Sequence, residues 1–195
     1  MRRLIGTGTT DSQGQVTVTY TGTGAGKLQV MAECGDLQSE TYTLYDVAFK
    51  DIGTAEDYTA WTYLSNVTLT RSDAETSITQ TSSSSGASQY LTLPLTDNFC
   101  IETDLSLSAT DVTSYTLFSF RQGTSTNGSI PYTRLGLTDD EYGHVKLTVQ
   151  GTNVDITVDG TSKTPITLTD TINRFYLGVN QGVTLKYKNF IIYPI

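Results

Sequence analysis

The chain has 195 residues, a net charge of -8, 16% charged residues, two Cys, one His and one Trp. The acidic balance excludes a nucleic-acid backbone as partner, because that needs clustered Lys and Arg. A lone His excludes a His-rich metal site, and two Cys form neither a disulfide framework nor a structural zinc site.

Threonine is the commonest residue, and its β-branched side chain favours half-exposed strands. Period-two alternation runs through the chain, while the helical apolar spacing is nearly absent. In the first part Val16, Val18 and Tyr20 alternate with Thr17 and Thr19. Leu28, Val30 and Ala32 alternate with Gln29 and Met31, and residues 41–46 make a third short strand. The segment from Tyr45 to Gly53 reads as a junction, dividing the chain into residues 1–46 and 47–195. Three short strands with few large apolar groups would be marginal alone.

In the second part the polar run Thr81-Ser82-Ser83-Ser84-Ser85-Gly86 lies between strand-like 76–80 and 90–95, and reads as a hairpin-like loop. Phe99, Ile101, Leu105 and Leu107 are expected on one face of a strand, with Glu102, Asp104, Ser106 and Ser108 on the other. Residues 115–120 are apolar on both faces, as a central strand would be. A strand is expected at 134–137. Val145, Leu147 and Val149 then alternate with polar residues, as do Val154, Ile156 and Val158, which end on the hairpin signal Asp159-Gly160. Phe175, Leu177 and Val179 form another strand, and 185–193 a last one. Phe118, Phe175 and Phe190 are expected in the core. About ten antiparallel strands predict an all-β, two-sheet sandwich or jelly roll. No apolar run approaches the roughly 20 residues of a membrane-spanning helix, so no membrane insertion is expected. Nor is a signal peptide expected at Met1-Arg2-Arg3-Leu4-Ile5-Gly6, where no apolar stretch follows the charge.

Residues 47–195 resemble the concanavalin A-like lectin/glucanase superfamily, including laminin G-like domains. The resemblance is carried by Asp97-Asn98-Phe99-Cys100-Ile101-Glu102-Thr103-Asp104, by His144-Val145-Lys146-Leu147-Thr148-Val149, by Val154 to Gly160, and by the closing Leu185 to Ile195. Residues 7–46 resemble the last strands of a bacterial Ig-like domain, through the stretch Thr9 to Tyr20. The resemblance implies an antiparallel two-sheet jelly-roll sandwich preceded by a short partial Ig-like β segment. It also implies the setting in which such pairs are familiar, namely phage fibres and adhesin-like surface proteins.

Glycosidases of that superfamily place carboxylates on alternate positions of one strand, Glu-x-Asp-x-x-Glu or Glu-x-Asp-x-Glu. Glu102-Thr103-Asp104 begins the pattern, but Ser106 and Leu107 stand where the second Glu would be. No catalytic residue is expected. His144 has no Gly-x-Ser-x-Gly elbow to serve, and a surface role suits it. Ca²⁺ could draw on Asp104, Asp139, Asp140, Asp155 or Asp159, but they form no loop signature, and no cofactor is expected.

Sugar sites pair aromatic faces with polar groups aimed at hydroxyls. The candidates are Trp61, Tyr63, Tyr115, Arg121, Tyr132, Arg134, Tyr142 and His144. For Trp61 and Tyr115 core packing is the competing use. Tyr132 and Arg134 alternate, so on a strand they would share a face. Cys34 and Cys100 are expected as free thiols, the alternative being a bond that staples the two parts. Asn66-Val67-Thr68 and Asn127-Gly128-Ser129 match the glycosylation acceptor, although Asn127-Gly128 reads as a tight turn.

The expected function is a non-enzymatic recognition module of a phage fibre or virion-surface protein that binds host surface glycans. Other virion chains are its expected partners, and the incomplete first part is expected either to pack on the second part or to complete a sheet in trans, as in a homotrimer. The alternatives are an adhesin fragment at the cell surface, a structural capsid decoration module and a degenerate glycoside hydrolase.

Overall fold

Alternation becomes strand through most of the chain that the computed structural model describes. The described residues are 7–13, 15–16, 26–34, 37–39, 42–46, 49–51, 61–63, 67–72, 75–80, 87–93, 98–108, 116–179 and 183–195. The N-terminal part holds β1 (Gly26–Val30), β2 (Glu33–Cys34), β3 (Leu37–Gln38) and β4 (Tyr42–Asp46). β1 pairs antiparallel with β4, and β2 with β3. Val16 lies in no strand, and 17–20 fall outside the described residues.

Next come β5 (Phe49–Asp51), β6 (Trp61–Tyr63), β7 (Val67–Ser72), β8 (Glu75–Gln80), β9 (Ala87–Thr92) and β10 (Phe99–Ser108). They are followed by β11 (Thr116–Gln122), β12 (Ser125–Pro131), the single helical turn α1 (Tyr132–Leu135) and β13 (Gly143–Gln150). The last strands are β14 (Asn153–Val158), β15 (Thr161–Thr167), β16 (Arg174–Gly178) and β17 (Thr184–Pro194). Two antiparallel sheets result. An eight-stranded sheet runs β15-β14-β13-β10-β17-β8-β7, with β5 also paired to β17. A five-stranded sheet runs β12-β11-β16-β9-β6. Among the described residues no helix is long and apolar enough to cross a membrane.

The sheets face each other through one half of each alternation. Phe99, Ile101, Leu105 and Leu107 of β10 are fully buried, as are Phe118 and Phe120 of β11 and Phe175 of β16. The Phe175 ring lies 5.3 Å from Phe118, 5.4 Å from Phe120 and 6.0 Å from Phe190 of the opposite sheet, which joins the two layers. Such offset aromatic contacts add to the area they bury.

Three sequence expectations are corrected. The polar run 81–86 does not join a hairpin: β8 and β9, which flank it, belong to different sheets. Asn127-Gly128 is not a turn but part of β12: Gly128 pairs with Phe120, and Asn127 falls at the register shift between it and Thr126, which pairs with Arg121. Asn127 is buried, and its Nδ2 donates to the Thr171 carbonyl at 2.6 Å, so it is no glycosylation acceptor in this fold. A β carbon at Gly128 would meet Leu168 Cδ2 at 2.6 Å, which is the close approach that requires glycine. Residues 132–135 form α1 rather than the start of a strand.

The Asp159-Gly160 hairpin is present. Val158 pairs with Thr161 across it, and the two turn residues have φ of 49° and 76°. These positive values are those of a two-residue type I′ turn. No atom lies within 4 Å of a β carbon built on Gly160, so Gly160→Ala meets only backbone strain. We expect a loss of roughly 1 kcal/mol in urea denaturation. An unchanged midpoint would contradict the left-handed turn.

Candidate functional site

The outward half of β10 carries Glu102, Asp104 and Ser106, and the pairing sets what stands beside them. Glu102 lies opposite Lys146 and Asp104 opposite His144 on β13. On the other side, Asp104 faces Lys188 of β17. Between Glu102 and Asp104 the β17 register slips by a bulge. Asn189 falls in that bulge with φ of 55°, a left-handed conformation that Asn tolerates. The bulge turns its amide outward, where Nδ2 donates to Asp104 Oδ2 at 2.7 Å.

Two connected networks follow. In the first, Lys146 Nζ reaches Glu102 Oε1 at 2.8 Å and donates to the Tyr193 hydroxyl at 2.9 Å, while that hydroxyl donates to Glu102. Burial raises the Glu102 pKa, but hydrogen bonds from Lys146 and Tyr193 and the charges of Lys146 and His144 outweigh it and hold the carboxyl below its ordinary value. Burial, and then the bond to Glu102, pushes Tyr193 well above a free phenol. In the second network, His144 Nδ1 sits 2.9 Å from Asp104 Oδ1, and its Nε2 is 3.7 Å from Glu102 Oε2. The backbone N–H of His144 donates to Asp159 Oδ1 at 2.8 Å, so the turn after β14 fixes the start of β13.

Tyr142 stands at the edge of this face. Its hydroxyl donates to the Glu75 carboxylate of β8, and Lys188 Nζ lies 4.1 Å from its ring centroid. Burial and the Glu75 bond raise its pKa. The residue nevertheless remains 38% exposed. The face therefore offers one aromatic ring beside a carboxylate, an amide and an imidazole, all held by protein partners.

Of the sequence candidates, Tyr142 and His144 meet on this face; Trp61, Tyr132, Arg134 and Arg121 do not join them. Trp61 is a correction, because it is only 4% exposed and packs in the core at 5.2 Å from Phe190 and 6.1 Å from Tyr187. Tyr132 and Arg134 do not share a strand face. They lie two apart on a helical turn, where such positions point away from each other. Tyr132 is buried, and its hydroxyl donates to Asp139 Oδ1 at 2.7 Å. Burial, and then that bond, pushes its pKa up to about 12. Arg134 NH1 reaches the Pro165 carbonyl at 3.3 Å. Arg121 lies on the outward face of the other sheet, and Tyr115 falls outside the described residues.

Sequence reading missed Lys146, Asn189, Lys188, Tyr193 and Glu75. Only the strand register places them beside Glu102 and Asp104, and no local spacing signals that register. At the positions where a second glycosidase Glu would stand, Ser106 is on the outward face but buried, while Leu107 points into the core. The aspartates considered for Ca²⁺ are dispersed: Asp104 is held by His144 and Asn189, Asp139 by Tyr132, and Asp159 by the His144 amide. Among the described residues no group of three or more His, Cys, Asp or Glu is placed to hold a metal ion. Both cysteines are free thiols, Cys34 exposed and Cys100 buried.

No protein-family profile matches the sequence, and no curated protein matches it. Solved structures do match. A sialidase aligns with a TM-score of 0.60 at 11% identity, covering 86% of this chain and 21% of its own. The chain thus spans about a fifth of that sialidase's length. A Bacillus subtilis protein with a galectin-like fold aligns at 0.52 and 10% identity, covering 73% of this chain and 93% of its own. A carbohydrate esterase from the Shiga toxin-encoding bacteriophage phi24B aligns at 0.51 and 11% identity, covering 76% of this chain and 98% of its own. The likeness is one of fold. It makes the two sheets an antiparallel β-sandwich of a kind shared with carbohydrate-active and galectin-like proteins, and at these identities activity does not follow from fold.

Proposed function

We propose that the chain is a non-enzymatic carbohydrate-recognition module that receives a sugar on the outward face of the eight-stranded sheet. The observation that carries this reading is the exposed Tyr142 ring beside Asp104, Asn189 and His144, whose positions are fixed by the bulge in β17 and the Asp159 turn. An aromatic ring accepts the CH-rich face of a sugar, and the fixed polar groups meet its hydroxyls. Preorganisation lowers the ordering cost of binding.

The non-catalytic part of the proposal rests on Ser106 and Leu107, which stand where a glycosidase of this pattern would carry its second carboxyl. Glu102 does not supply the acid, which needs a raised pKa, because Lys146 and Tyr193 shift it down against the effect of burial. The setting we propose is a phage fibre or other virion-surface protein bearing a concanavalin A-like sandwich after an Ig-like remnant. Host surface glycans would be its ligand and other virion chains its partners, in a homotrimer. The fold shared with the phage phi24B esterase supports that setting.

Glycan-array binding followed by titration tests the site. Tyr142→Ala is expected to weaken binding of a neutral glycan by about tenfold, without a change in thermal midpoint beyond a few degrees. Unchanged affinity would move the site elsewhere. Hydrolysis of a β-glucan by the wild type, lost in Glu102→Ala, would overturn the non-enzymatic reading.

A further inference from the structure

The outward face of the five-stranded sheet carries a second, unrelated arrangement. Tyr90 of β9 and Tyr176 of β16 are cross-strand partners, with rings stacked at 4.9 Å and 30°. Arg121 lies over Tyr176 with its guanidinium carbon 4.2 Å from the ring centroid, and Arg174 lies over Tyr90 at 4.8 Å. The result is a four-member platform of two rings and two cations. Tyr176 is only 5% exposed beneath it.

Arg121 and Arg174 are also directly opposite each other in the β11–β16 ladder. Like charges in that position repel. Among the described residues no carboxylate forms an ion pair with either one. This occurs in a chain whose acidic residues outnumber its basic ones, 20 to 12. Each guanidinium spends one group on the protein: Arg121 Nε donates to Ser119 Oγ at 3.2 Å, and Arg174 NH1 donates to the Gly123 carbonyl at 3.2 Å. A guanidinium has five N–H donors, so most remain for a ligand.

The platform is held rigid. Asn173 ties its two arginine-bearing strands together: its N–H donates to the Arg121 carbonyl at 2.9 Å, and its Oδ1 accepts from the Gly123 N–H at 2.9 Å. Thr92, opposite Arg174, and Thr126, opposite Arg121, extend the face with exposed hydroxyls on both sides.

We propose that this platform binds the acidic group of a saccharide, a carboxylate or sulfate ester, at a site separate from the Tyr142 face. One anionic group between two opposed guanidiniums removes their repulsion and takes paired charge-assisted hydrogen bonds. The flanking threonines then meet sugar hydroxyls. A polyanion such as nucleic acid fits poorly, because the two arginines offer one contact point and the net charge repels a long phosphate track. The proposal extends the carbohydrate reading but does not share its site, so the two can fail separately.

The test is a titration of the whole chain with an array of uronate, sialylated and sulfated oligosaccharides, their neutral counterparts, and sodium sulfate. Expected is binding of at least one acidic oligosaccharide that weakens with salt. Arg121→Gln and Arg174→Gln should each reduce it about tenfold or more, while Tyr142→Ala leaves it unchanged. Arg121→Lys keeps the charge but loses the planar fork, and should retain the thermal midpoint while recovering only part of the affinity. Three results would overturn the proposal: no acidic saccharide bound at low salt, sulfate alone bound as tightly as the saccharide, or equal loss in Tyr142→Ala. Loss of neutral-glycan binding in Tyr142→Ala with acidic binding intact would support both sites.

Discussion

Phe175→Ala will destabilise the protein by about 3–5 kcal/mol, as complete removal of a buried aromatic ring does. The ring is fully buried and stands between Phe118 and Phe120 of its own sheet and Phe190 of the other. Its loss removes one of the ring contacts that cross the sandwich as well as its own buried area. The neighbours are themselves held in strands, so the space can close only in part. Urea denaturation measures the effect through the midpoint and slope. Since a domain of this size holds only about 5–15 kcal/mol in total, the variant should sit near the edge of folding at 37 °C. Phe175→Leu keeps most of the volume and should lose clearly less. Equal losses in the two would show that the aromatic contacts contribute more than filling the space. A loss under about 1 kcal/mol for Phe175→Ala would mean that the sheets are not joined through this ring.

The core was the most legible part of the sequence, because burial imposes period two on apolar residues. Phe99 to Leu107, Val145 to Val149 and Val154 to Val158 all face inward where alternation places them. The edges were not legible. β12 contains Gly128 and ends on Pro131, and β15 contains Pro165 and Lys163. These residues blunt a free edge, and they also erase the pattern by which a strand is read. The Asp159-Gly160 turn was legible because its backbone demand is local. The site was legible only in part. Glu102 and Asp104 were known to share a face, but their partners Lys146, His144 and Asn189 are brought in by a long-range register and a bulge. The Tyr90–Tyr176 stack depends on β16 pairing with β9, strands far apart in sequence. Arg121 stands among the sugar-site candidates of the sequence, whereas Arg174, its partner in the ladder, gives no signal. Trp61 misled because a large ring beside polar residues looks the same in sequence whether it lies in a core or in a binding site.

Glu102→Gln should destabilise the protein by about 2 kcal/mol at pH 7, and this difference should disappear in acid. The variant keeps the shape and can still accept from Tyr193, but loses the charge that attracts Lys146. Lys146 is 36% exposed, so solvent screens the pair and limits the loss. The direction with pH follows from linkage. The folded-state pKa of Glu102 is below its ordinary value of 4.5, against burial and through Lys146, Tyr193 and His144. Its stabilising contribution is therefore complete above the ordinary value, and is lost as pH falls from there through the lowered folded value. Denaturation curves of wild type and Glu102→Gln should run parallel between pH 6 and 8 and converge below about pH 4. Tyr193 sets the opposite limb. Its folded pKa is raised above 10.0, chiefly by burial and then by Glu102, so the folded state is penalised once the unfolded phenol ionises. Stability should fall above about pH 10, and Tyr193→Phe should flatten that fall. A wild type and Glu102→Gln that differ equally at pH 3 and pH 7 would show that Glu102 acts by shape alone, and would remove the charged network from the account of this face.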